Sequence, residues 1–182
     1  MILRKGPLEL FAYSKAPVPK EHESILLLQA SPEAIYQALG LIGLVPGQPM
    51  RYVPETGTSR KPSGDPIDVL VRFESGGQTI EVSACDWMTN VTRNKPMERI
   101  PWLFTGSYRL KDGTFAANIE GTVVTVVDFD SSVVALPDLH TSSNAELWLE
   151  ANAEAIPPVG TQVTLILRPA QSNPAGKAKW QE

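Results

Sequence analysis

The chain has 182 residues, of which 42% are hydrophobic and 20% are charged, and its formal net charge is −4. These values suit one globular domain, and the lack of a Lys/Arg cluster argues against nucleic acid as the main partner. No apolar run is long enough to span a membrane, and no signal peptide is recognised. Cys85 is the only cysteine, which excludes an intrachain disulfide, a thiolate zinc site and an iron–sulfur cluster built by this chain.

The first predicted elements are two strands, over residues 8–13 and 25–29, followed by an amphipathic helix at about 32–43. Ser31 suits the N-cap and Pro32 the first helical position. Gly43 is placed to end the helix in a left-handed conformation. One apolar stripe should face the body of the protein, and it comprises Ile35, Ala38, Leu39 and Ile42.

Residues 46–66 carry five prolines and three glycines, which predicts a long loop. Alternation over 67–73 and 80–84, around the turn Glu74–Gly77, predicts a β-hairpin. Further strands are predicted at 102–110, 115–118, 122–128, 145–153 and 163–167, with the last two forming a second hairpin.

The fold predicted from these elements is a β-rich α+β domain. It consists of an antiparallel sheet or sandwich with one packed amphipathic helix at about 32–43. Residues 1–169 are expected to form a single domain, and residues 170–182 a flexible tail that contains Trp180.

The segment Lys20–Ser24 holds the best candidate site, because it contains one of two histidines between two carboxylates. A neighbouring carboxylate raises the pKa of an imidazole and favours its charged form. In an extended segment Glu21 and Glu23 share one face and His22 points to the other. We therefore take His22, Glu23 and Ser24 as a candidate binding site.

Two kinds of catalytic site remain open from the residues alone. A divalent metal of the zinc or iron type could be held by His22, Asp138 and His140, if the two segments meet. A serine nucleophile could pair with either histidine, although the Gly-x-Ser-x-Gly elbow is absent; the available serines are Ser24, Ser107, Ser142 and Ser143.

Several segments, in the same order, resemble the YdjY-type domain family, and together they cover about residues 5–169. They are the start Gly6-Pro7-Leu8-Glu9-Leu10-Phe11-Ala12, the His-Glu segment Lys20–Leu26, Pro46-Gly47 after the helix, Trp102–Ser107, and Ile156–Thr161 with Val163–Pro169.

The resemblance implies an exported, extracytoplasmic bacterial protein of a family without an established activity. Some relatives of that family carry an iron–sulfur ferredoxin segment, whose ligands this chain lacks, since it has only Cys85.

The function favoured by sequence is a non-enzymatic binding or accessory module for an unknown small molecule or protein, with no cofactor. The alternatives are a metal-assisted or acid–base enzyme that uses His22 with a carboxylate, and a structural module of a larger assembly.

Overall fold

The computed structural model describes residues 3–17, 19–141 and 147–171, and a curled mixed sheet organises them. The strands, in chain order, are β1 (Leu10–Ser14), β2 (Ser24–Leu28), β3 (Pro46–Gln48), β4 (Arg51–Val53), β5 (Thr58–Arg60), β6 (Ser63–Gly64), β7 (Pro66–Ser75), β8 (Gln78–Ser83), β9 (Met88–Asn90), β10 (Lys95–Pro96), β11 (Trp102–Phe104), β12 (Thr122–Thr125), β13 (Val134–Ala135), β14 (Leu149–Ala151) and β15 (Thr164–Pro169). The helices are α1 (Pro32–Leu41) and α2 (Ala116–Glu120), with 3-10 turns at Glu21–Glu23 and Ala84–Trp87.

The main sheet has eight strands in the order β15-β7-β11-β13-β12-β1-β2, with β8 paired to β7. The β1–β2 and β12–β13 pairs are parallel, and the other pairs are antiparallel. The domain is therefore β-rich, as predicted, but its sheet is mixed. The parallel β1–β2 pair arises because the 15–23 connection carries the chain back before β2 begins.

The predicted helix is present and its caps form as expected. The Ser31 hydroxyl accepts from the Ala34 N–H at 3.2 Å. Gly43 has a φ of +91°, and its N–H donates to Gly40 O while Leu44 N–H donates to Leu39 O, the bond pair of a Schellman motif. Leu39 is buried as predicted.

Two residues depart from the predicted apolar stripe, since Ala38 is exposed and Ile42 is 54% exposed. Ile42 is the C-cap residue, where the chain already leaves the helix, and Leu44 is buried beyond it. The helix instead packs through Tyr36, whose ring lies 5.6 Å from Phe104 and 5.3 Å from Phe115.

The β7–β8 hairpin is confirmed, with Gly76 and Gly77 at φ of +57° and +76°, as a type I′ turn requires. Residues 46–66 were predicted as a loop, but they contain four short strands that pair as β3–β6 and β4–β5. Strands of two or three residues among prolines leave too little alternation to be recognised.

Two other element predictions need correction. Residues 115–118 were predicted as a strand but lie at the start of α2, whose Ala-rich sequence favours a helix and which ends at Gly121 with φ +75°. The strand predicted at 145–153 exists as β14. It pairs with β9, however, and β15 pairs with β7, so the second hairpin does not form.

The core lies on the sheet around a group of large aromatic side chains. The Phe11 ring lies 6.2 Å from Trp87 and 6.4 Å from Trp102, and Phe73 lies 5.6 Å from Trp87. Residues 172–182, with Trp180, belong to the predicted tail and lie outside the described residues. No helix in the described ranges combines the length and apolar character that crossing a bilayer requires.

Candidate functional site

The His-Glu segment forms a tight turn, not an extended strand. Glu21–Glu23 make one 3-10 turn between β1 and β2. Glu23 pairs with Lys20 Nζ at 2.8 Å and with His22 Nε2 at 3.4 Å. Because the turn is not extended, His22 reaches its own neighbour Glu23, which alternation along a strand would have placed on the opposite face.

The Lys20–Glu23 pair is partly buried, whereas the His22 side chain is 76% exposed. Lys20 Nζ also lies 4.8 Å from the centre of the Phe129 ring, a distance at which a cation and an aromatic ring attract. The backbone of Glu23 accepts from the Glu9 N–H at 3.1 Å. We call Lys20, Glu23 and Phe129 the clasp, because together they fasten the turn to the body.

Burial, followed by the negative charge of Glu23, raises the pKa of the Glu9 carboxyl. Ser24 is fully buried in β2, and its hydroxyl has no hydrogen-bond partner among the described residues. His22, Glu23 and Ser24 line none of three cavities of about 790, 630 and 400 Å³. The candidate binding residues are thus neighbours, but the three cavities lie elsewhere.

The candidate metal residues divide between two places. Asp138 is exposed and pairs with Lys61 at 2.7 Å, and that bond lowers the pKa of the Asp138 carboxyl. His140 stacks on Trp148 at 4.1 Å. Asp138 and His140 line a common cavity that does not include His22. In the described ranges no three His, Cys, Asp or Glu side chains are grouped to hold a metal ion.

Ser107 and Cys85 have structural roles. Ser107 adopts a φ of +54° and its hydroxyl accepts from the Ala117 N–H at 3.3 Å. Cys85 is buried in the 3-10 turn capped by Ser83 and Asp86. Ser142 and Ser143 lie outside the described residues.

A cleft that sequence reasoning missed opens beside β7. Since β15 pairs with both Ile67 and Leu70, β11 at Ile67 and β8 at Leu70 must share the opposite edge of β7. Between them lies a cavity of about 790 Å³, which we call the β8–β11 cleft. It is lined chiefly by Asp68, Val69, Glu81, Arg99, Trp102 and Arg168.

Two side chains that line this cleft carry a buried hydrogen-bond donor without an acceptor. Trp102 is 1% exposed, yet its indole Nε1–H donates to no atom of the described residues. The buried Nε of Arg168 likewise makes no hydrogen bond there, although it lies 3.5 Å from Asp68 Oδ2. A buried donor without an acceptor costs roughly 1–3 kcal/mol, so such groups call for an acceptor.

The charged side chains around the cleft are mutually neutralised. Arg168 Nη1 lies 3.8 Å from Glu81, and Arg99 donates two bonds to Asp86 at 2.9 and 2.7 Å. The lining holds no histidine, cysteine or lysine. The lining thus combines apolar side chains, such as Val69 and Val82, with the two side chains that carry unpaired donors, a combination found in ligand pockets.

The fold is a β-rich α+β domain whose main sheet is curled and mixed. The β8–β11 cleft opens where β8 and β11 separate along one edge of β7. The chain belongs to the YdjY domain family, whose sequence profile matches residues 3–168. No curated protein and no solved structure matches it. The Trp102–Ser107 segment contributed to the resemblance, but nothing in its spacing shows that Trp102 lacks an acceptor.

Proposed function

We propose that this domain is a non-enzymatic binding module and that its ligand occupies the β8–β11 cleft. The observation that carries the proposal is the unpaired Nε1–H of Trp102, buried in the wall of a cavity of about 790 Å³. Ligand pockets commonly measure 300–1,000 Å³ and combine an apolar lining with a few oriented polar groups. The cleft has both properties.

The ligand should present an oxygen acceptor to Trp102. A carboxylate is the best acceptor of this kind, because hydrogen bonds to an ionised oxygen are about twice as strong as neutral ones. The guanidinium of Arg168 lines the same cleft, where a ligand carboxylate would compete with Asp68 and Glu81 for it. We therefore propose a small carboxylate-bearing molecule as the ligand class.

Binding is favoured over catalysis because the cleft lacks an evident proton carrier or nucleophile. Its carboxylates, Asp68 and Glu81, both lie within 4 Å of Arg168, and the described residues of its lining include no histidine, cysteine or lysine. The turn that carries His22 has only a structural role in this proposal, since the clasp fastens it to the body.

An extracytoplasmic location belongs to the proposal as well, and it rests on the family resemblance. Fractionation of the source cells, with an antibody against the domain, tests it. Recovery in the cytoplasmic fraction would contradict this part without touching the ligand site.

Isothermal titration with acetate tests the ligand site. We expect the protein to bind acetate in the millimolar range, since so small a ligand can gain at most about 1.5 kcal/mol per heavy atom. Trp102→Phe removes the N–H but keeps a ring, and should weaken binding about tenfold or more. Trp87→Phe, at a tryptophan that lines none of the three cavities, is the matched control and should bind like the wild type. Equal binding by all three proteins would refute the proposal.

A further inference from the structure

A second cavity, of about 630 Å³, lies between the β9–β10 turn and the segments that carry His140 and Trp148. Its lining includes Arg93, Lys95, Met97, His140 and Trp148. Of all the residues that line the two cavities, this cavity and the β8–β11 cleft share only Ile100. We call it the His140–Trp148 cavity.

One wall of this cavity is aromatic. The rings of His140 and Trp148 stack with centroids 4.1 Å apart and planes 23° from parallel. Burial lowers the pKa of the His140 imidazole, so the stacked ring is held neutral. Met97 and Ile100 add apolar surface. A ligand in contact with this wall should therefore carry an apolar body of about the size of one ring.

Trp148 also carries an unused donor. Its Nε1–H is buried, so a ligand reaches it only after a small shift of the side chain, and it has no acceptor among the described residues. It is a second indole N–H in the same condition as that of Trp102, but in a different cavity. An acceptor oxygen at the polar end of a ligand would satisfy it.

The charges that line the cavity leave an excess of positive charge. Asp138 is neutralised by Lys61 at 2.7 Å, and Lys61 is not part of the lining. Glu98 then stands against two cations, Arg93 and Lys95, and its bond to Arg93 is long, at 3.4 Å. One positive charge in excess favours a ligand with one negative charge.

We propose that the His140–Trp148 cavity is a second binding site, and that it takes a small aromatic monocarboxylate. The ring of the ligand lies against the aromatic wall, and its carboxylate accepts from Trp148 Nε1–H and faces Lys95. This site is independent of the ligand proposed for the β8–β11 cleft, since different indole groups and different cations serve the two.

Nuclear magnetic resonance of the indole N–H groups tests the proposal, with benzoate as the probe and the complete chain as the protein. Each tryptophan gives one Nε1–H signal, and single Trp→Phe variants assign them. Benzoate should move the Trp148 signal downfield in a saturable way. Lys95→Met should weaken binding several-fold, while Lys111→Met, at an exposed lysine outside the lining, should leave the affinity unchanged.

The outcomes separate the two sites. A saturable shift of the Trp148 signal supports the second site if the benzoate affinity is also weaker in Lys95→Met. This holds even if the Trp102 signal does not respond. If the Trp148 signal does not move during the benzoate titration, the second site is refuted, whether or not acetate binds at Trp102. Lys95 is exposed, so its variant should fold normally and keep the test decisive if Trp148→Phe does not fold.

Discussion

Replacing Glu23 should destabilise the domain much more than replacing His22, although the two residues are neighbours in one motif. Glu23→Gln removes the carboxylate that pairs with Lys20 at 2.8 Å, where both side chains are about 15% exposed. Exposed ion pairs contribute about 0–1 kcal/mol, and loss of one partner of a buried pair costs about 3–5 kcal/mol. This pair lies between these limits, and release of the repulsion on Glu9 offsets part of the loss.

We therefore expect Glu23→Gln to lower the free energy of unfolding by about 1–2 kcal/mol. His22→Ala should change it by less than about 0.5 kcal/mol, because the imidazole is 76% exposed. Urea unfolding, followed by tryptophan fluorescence with a common m-value, measures both. A double-mutant cycle of Lys20→Met with Glu23→Gln isolates the pair.

The clasp interpretation fails if His22→Ala costs as much as Glu23→Gln, or if Glu23→Gln is neutral. The first result would mean that the histidine itself holds the turn. The second would mean that the Lys20–Glu23 pair contributes nothing, so that the motif would need another explanation.

Two further predictions concern stability. Gly121→Ala should destabilise much more than Gly77→Ala in thermal unfolding, because both have φ near +75° but only a Cβ at Gly121 would collide with Ser14 O; equal losses would argue against this close approach. Burial raises the pKa of Glu9 and of Asp128, so each favours folding most below its unfolded pKa, and that contribution is lost as pH rises through the folded pKa. Glu9→Gln should therefore stabilise the domain more at about pH 7 than at about pH 4 in urea titrations, and the reverse order would contradict this sign.

Local signals in the sequence were enough to predict the helix and the hairpin. Ser31, Pro32 and Gly43 act within one turn of the helix ends, and Gly76–Gly77 act within one turn of the hairpin. The long-range pairings were not predictable in this way. The parallel β1–β2 pair and the union of β14 with β9 depend on contacts between distant segments, which no local pattern encodes.

The candidate site shows the same difference between local signals, which the sequence contains, and long-range contacts, which it does not reveal. The sequence identified His22 and Glu23 as neighbours, but alternation assumed an extended chain where a 3-10 turn forms. Trp102 was noticed only as part of a family segment. Trp102 pairs with Ile67 where β8 and β11 separate along one edge of β7, and that placement depends on the register of three strands.

A titration with acetate, followed at the Trp102 Nε1–H signal, tests most directly whether the ligand occupies the β8–β11 cleft. If it does, that signal should show a saturable downfield shift, while the signal of Trp87, which lines none of the three cavities, should stay in place. Arg168→Gln should weaken the apparent affinity. A Trp102 signal that does not respond to saturating acetate, or that responds equally in Arg168→Gln, would contradict the assignment of the β8–β11 cleft as the ligand site.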